Sequence, residues 1–176
     1  MTTTNETPVS KTRHEVIKEA KRLEEAVLYS SKGHFVAASA WSYFHLAVGV
    51  LLVIGTAIAA ALALSQFDQR HTVAAVLYIV AAVLSAVLTF LNPNDRSAGH
   101  FNAGNHYDAL MNRVRIFWNI ECWQDDSDQV LTSRLNDLIR EKDRLNLASP
   151  QIPYWAYRFA KRGILAGEAT YQVDKE

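Results

Sequence analysis

The stretch LAVGVLLVIGTAIAAALALSQFDQRHTVAAVLYIVAAVLSAVLTFL runs from Leu46 to Leu91 and decides the fold. It holds two apolar runs, Leu46–Leu64 and Val73–Leu91, separated by residues 65–72, and neither run contains Asp, Glu, Lys or Arg. The charge-free windows are wider than the runs: no formal charge falls between Lys32 and Asp68, nor between Arg70 and Asp95. A helix of such a run is about 28 Å long, against about 30 Å for the hydrocarbon core of a bilayer. Lipid offers the backbone no hydrogen-bond partners, so spanning segments are helices or closed barrels, and two helices joined by so short a loop run antiparallel. The other reading is a buried hairpin of a soluble four-helix bundle. A soluble helix normally carries a charged face every three or four residues, and both runs lack one. A transmembrane hairpin (46–64, loop 65–72, 73–91) is therefore expected.

Composition outside the hairpin is polar, which brings the mean hydropathy to −0.05. Charge balances at 18 basic and 18 acidic residues, so net charge gives no ground for nucleic-acid binding. The single cysteine, Cys122, lies among Phe117, Trp118 and Trp123 and reads as a packing residue. The first run begins after 45 mostly polar residues, too late for a cleaved signal peptide. Basic residues number six before the hairpin, one in its loop (Arg70) and eleven after it. The positive-inside rule then places both termini in the cytoplasm and the loop outside.

Residues 1–10, rich in Thr, Asn and Pro, are expected to be disordered. From Lys11 a helix of about 50 residues is expected to run through Leu64, with Thr12 and Glu15 spaced as a capping box. Val16, Ala20, Leu23, Val27, Ser30, His34, Ala37 and Trp41 follow in steps of four and three, a heptad seam leading to the membrane. This seam is the candidate assembly element between copies, linking a cytoplasmic part (11–45) to the membrane. Trp41, Tyr43 and Phe44 form an expected interfacial belt.

Beyond Leu91, Asn-Pro-Asn-Asp reads as a stop and turn. A helix over 98–122 follows, with Phe101, Tyr107, Leu110, Val114 and Phe117 on one side. Asp125, Asp126 and Asp128 then favour the start of another, carrying Leu131, Leu135, Leu138 and Leu145. After a break at 149–153, residues 154–167 mix aromatics with Arg158, Lys161 and Arg162. That mixture suits a bundle helix or one lying on the anionic inner leaflet, and bundle packing is the expected state. The fold class is thus an all-α membrane protein, a two-transmembrane helical hairpin whose C-terminal region, 92–176, completes a cytoplasmic bundle.

No phosphate-binding glycine loop, paired-cysteine site or nucleophile elbow is present. His100 and His106 stand on different faces of a helix and make no ligand set. Arg113 with Arg115, or Lys161 with Arg162, are the basic pairs suited to a phosphate, although such pairs are usually solvated or ion-paired. No catalytic residue, cofactor or metal is expected. Small and hydroxylated residues at membrane depth, Gly49, Gly55, Thr56, Ser85 and Thr89, are candidates for a pore wall or for helix packing.

The layout, with "LTFLNP" closing the second run, then "GHFNAGNHYDALMNRVR", an acidic turn, a Leu-rich helix and "SPQIPYWAYRFAKRGI", resembles the SLATT family, the SMODS and SLOG-associating two-transmembrane effectors of bacterial nucleotide-signalling conflict systems. The likeness extends over about residues 11–167. It implies a homo-oligomeric effector of antiviral immunity in the bacterial inner membrane, forming a pore or channel when a partner protein makes or senses a nucleotide. The alternative is a membrane-anchored scaffold that recruits a cytosolic partner without conducting.

Overall fold

The computed structural model describes residues 10–65 and 69–171. The expected disorder of residues 1–10 lies, but for Ser10, outside the described residues, as does the centre of the hairpin loop. Among the described residues five α-helices follow one another: α1 (Lys11–Leu64), α2 (Arg70–Leu91), α3 (Pro93–Asn119), α4 (Asp128–Ala148) and α5 (Tyr154–Leu165), with a 3-10 turn at Glu121–Trp123. Among the described residues there is no strand. Two compact units result: residues 10–36 with 100–171, and residues 37–99. Their boundaries fall at 36/37 and 99/100 rather than at the ends of the apolar runs.

The first unit is built on one apolar core. Val16, Ala20, Leu23 and Val27 of α1 meet Tyr107, Leu110, Met111, Val114 and Phe117 of α3, Cys122, and Leu131 and Leu135 of α4. The helical period places these side chains on one stripe of each helix, and burying those stripes together is what holds the unit. The start of α1 is fixed by Ser10, whose hydroxyl accepts the Arg13 amide at 3.0 Å. The cap thus sits two residues before the expected Thr12, and Arg13 at N3 cannot return the reciprocal bond that Glu supplies in a capping box. The Arg13 guanidinium instead reaches the acidic turn, bonding the Asp126 carbonyl and lying 3.4 Å from Asp128. Ser127 caps α4 by accepting from the Val130 amide.

Two glycines bring α1 against its neighbours. A Cβ on Gly104 of α3 would stand 2.9 Å from the Phe35 ring, and one on Gly33 would stand 3.1 Å from Ile152. The Ser31 hydroxyl donates to the Gly104 carbonyl across the first of these approaches, 3.2 Å. Gly104→Leu is accordingly expected to lower stability by about 1–3 kcal/mol through overpacking, read as a shift of the thermal transition. The same change at the exposed Asn105 should leave the transition in place.

The second unit is the hairpin. Its inner positions recur in steps of three and four: Leu52, Gly55, Ala59 and Leu62 on α1, and Ala74, Leu77, Ala81, Leu84, Leu88 and Leu91 on α2. Of these only Ala59 and Ala74 are fully covered. Between α2 and α3 the expected turn shrinks to one residue. Asn92 adopts a left-handed conformation (φ 43°) and its amide donates to the Leu88 carbonyl at 3.0 Å. Asn tolerates that conformation better than most residues, and Pro93, lacking an amide hydrogen, fits the first helical position. The Arg96 guanidinium closes the end of α2 by donating to the Leu91 carbonyl at 2.7 Å. Expected to begin at 98, α3 therefore begins at Pro93.

Candidate membrane hairpin and buried histidine pair

The hairpin leaves its large apolar side chains uncovered. Val53, Ile54 and Ile58 on α1, and Val76, Ile79 and Val83 on α2, are each at least half exposed. α1 and the α2–α3 stretch each contain a window of mean hydropathy 2.6 and 2.5, of which 6% is buried. Both are long and apolar enough to cross a membrane. At the start of the apolar stretch, Trp41 makes an edge contact with Phe44 (6.1 Å) and lies under the Arg96 guanidinium at 5.2 Å. Tyr43 is exposed.

The candidate wall residues divide. Gly49 and Gly55 are half-buried, yet a Cβ at either would meet nothing within 4 Å. Neither glycine is there to let helices of one chain touch. Thr56, Ser85 and Thr89 lie on the exposed side. The Thr56 hydroxyl donates to the Leu52 carbonyl (2.8 Å), and that of Thr89 to the Ser85 carbonyl (3.0 Å). Both hydroxyls thus satisfy themselves on the preceding turn, as Ser and Thr do in apolar surroundings.

The proposed assembly seam is occupied inside the chain. Val16, Ala20, Leu23 and Val27 are core residues of the first unit, and His34 is 1% exposed. Trp41, the last seam residue, is half-buried. Since α3 and α4 cover the Val16–Val27 face, it presents no surface to a second copy. The heptad spacing reports an intrachain bundle core, which follows the same period as an interchain seam.

Sequence reasoning missed a histidine pair. His34 Nδ1 and His100 Nδ1 lie 2.9 Å apart, both buried, with the Tyr107 ring stacked on His34 at 5.4 Å between centroids. Such a contact requires one ring to donate and the other to accept, so at neutral pH the two imidazoles take opposite tautomers at Nδ1. Burial, seconded by the neighbouring His100, pushes the His34 pKa down to about 4. Tyr107 continues the polar line by donating to Asn146 Oδ1 at 2.7 Å, and burial pushes its own pKa up. His106 is exposed.

The two basic pairs behave differently. Arg113 is ion-paired with Glu141, whereas Arg115 bonds Asn112 and covers the Tyr171 ring at 4.6 Å, so the two do not converge. Arg113 lines a groove of about 390 Å³ floored by Ile116, Phe117 and Leu138. Its other arginine, Arg134, is held by Glu121 (3.2 Å) and Asp126 (3.0 Å). An anion entering there would have to displace three carboxylates. Lys161 and Arg162 are exposed. Cys122 is buried in the core, where desolvation raises its thiol pKa against the lowering pull of Arg13. Among the described residues, no three His, Cys, Asp or Glu side chains converge on one point.

No protein-family model, curated protein or solved structure matches this chain.

Proposed function

We propose that this protein is an oligomeric membrane effector of a bacterial antiviral nucleotide-signalling system, forming a pore or channel in the inner membrane when a partner protein that makes or senses a nucleotide activates it. The observation that carries the membrane part of this reading is the pair of long helices whose apolar windows are almost wholly uncovered. Exposed apolar surface on that scale marks contact with lipid or with another chain. The effector role rests on the resemblance to the SLATT family. Basic residues concentrate outside the hairpin, which favours both termini on the cytoplasmic side.

Two helices cannot enclose a water path, so conduction demands several copies with small or hydroxylated residues facing inward. Thr56, Ser85 and Thr89 are the candidates exposed among the described residues. With no charge on such a wall, the closed state excludes ions by dewetting rather than by an ionic lock. Assembly then uses the hairpin's outer faces, because the α1 seam is already filled. The test is dye efflux from vesicles carrying purified protein. Efflux that appears only with protein supports the reading, and tight vesicles under every nucleotide and partner condition overturn it.

One observation favours the scaffold reading: the hydroxyls of Thr56 and Thr89 are already bonded to their own helices. Replacing Thr56 and Ser85 together by Leu separates the two. The pore reading expects efflux and toxicity to fall to the level of empty vesicles and empty cells, whereas a non-conducting anchor keeps its full cellular effect.

A further inference from the structure

α5 is built inside out for a helix in a water-facing bundle. The side chains that it buries are Ala156 and Ala160. Around them, the Tyr29 ring lies tilted against that of Tyr157 (6.0 Å between centroids) and Ile152, just before the helix, fills the space over Gly33. The large apolar side chains point away: Tyr154 is 75% exposed, Phe159 59% and Leu165 72%, and Trp155 is also exposed. A soluble helix turns such residues inward, since burying each contributes about 1.5–3 kcal/mol.

Basic residues share that outer surface. Arg158, Lys161 and Arg162 are exposed, form no ion pair among the described residues, and have no acidic neighbour within the helix. At four-residue spacing, Trp155 and Phe159 make one row and Arg158 and Arg162 the next. The Arg158 and Arg162 guanidinium groups lie 5.9 and 6.0 Å from the Tyr154 and Phe159 rings. Aromatic rings beside long basic side chains match the bilayer interface, where rings sit at the carbonyl level and guanidinium groups extend to phosphate. Gly33, against which the residue before α5 packs, precedes Trp41 by eight residues on the same helix. That is about 12 Å of helical rise along α1.

We propose that α5 is an interfacial helix, seating its outer aromatic and basic face on an anionic lipid leaflet. This rests on the hairpin lying in a bilayer, and it adds a second membrane contact made by the first unit. Each lipid-facing Lys or Arg is worth about fivefold in the docking equilibrium, so neutralising three weakens it by about a hundredfold.

The test uses the full chain in nanodiscs with an environment-sensitive fluorophore on Phe159→Cys, Cys122 being buried. Probes on Ile79→Cys in the hairpin and Ser133→Cys on α4 serve as lipid and water references. In phosphatidylcholine discs containing phosphatidylglycerol, the position-159 probe is expected to be quenched by spin-labelled lipid. That quenching is expected to be lost in R158Q/K161Q/R162Q and reduced in discs of phosphatidylcholine alone. If the position-79 probe is quenched and the position-159 probe is not, α5 stays off the lipid and this inference falls while the hairpin stands. If neither is quenched, both fall together. A position-159 probe shielded from aqueous iodide yet insensitive to lipid quencher means that a protein, such as a second copy, covers the face, which also overturns the proposal.

Discussion

Ile79→Arg is expected to lower the equilibrium constant for membrane insertion of this protein by about a hundredfold. Ile79 lies within α2 and is 64% exposed, so the substitution removes little packing from the chain itself. In water an arginine on such a surface would cost nothing measurable. At the centre of a membrane helix it costs about 3 kcal/mol on insertion scales, and the isoleucine's favourable contribution is lost as well. The measurement is carbonate extraction, or a reporter in the hairpin loop that is modified only after translocation. Ser133→Arg on α4 is the control and should change nothing. Unchanged membrane association for Ile79→Arg would mean that the exposed apolar faces meet protein rather than lipid, and would withdraw the proposed function with them.

The second large effect is a loss of stability on acidification centred on His34. Its native pKa, about 4, lies below the ordinary histidine value of 6.5, so the unfolded chain takes up a proton that the native state refuses. The stabilisation is complete above about pH 6.5, declines as pH falls toward 4, and does not change further below that. Integrated over that interval it amounts to at most about 3 kcal/mol. Carboxylates titrate at the lower end of the same range, so the informative quantity is the difference between the protein and His34→Gln from pH 6.5 to 5. Gln keeps a polar group facing His100 but cannot charge. The natural protein should lose stability there, measured by hydrogen exchange at Leu110 and Val114, while the variant's profile stays flatter. Parallel profiles would mean that His34 is protonated as readily in the native state as in the unfolded chain.

The hairpin was the easiest element to read because its signal is an absence that needs no geometry: no charge across two long windows. The all-helical class and the amphipathic stripes were legible for the related reason that the helical period is written directly in apolar spacing. What the sequence left ambiguous was the partner of each stripe. An a/d seam looks the same whether α3 of the same chain or α1 of another fills it, and here Val16, Ala20, Leu23 and Val27 go to the former. The histidine pair escaped because the stripe on α3 was begun one residue out of phase, at Phe101, which is exposed. Stepping back from Phe117 through Val114, Leu110, Tyr107 and Ala103 reaches His100, and the α1 seam already held His34. Two in-phase histidines on facing stripes were a usable signal. At the ends of elements, short polar residues decided matters that periodicity cannot: Ser10 took the cap assigned to Thr12, and Asn92 turned an expected loop into a single-residue joint.

The order of the chain has a consequence for its synthesis. The hairpin unit is inserted in sequence between the two segments of the other unit, so the Val16–Val27 stripe leaves the ribosome long before the α4 leucines that cover it. Val27 and Leu131 are separated by 104 positions, about 5–20 s of elongation at about 5–20 residues per second. Until α3 emerges the nascent chain carries an uncovered apolar stripe, which is completed only with α4, and both apolar segments are made before it can be sealed. If the hairpin enters a bilayer as proposed, it is able to do so before the core of the first unit closes.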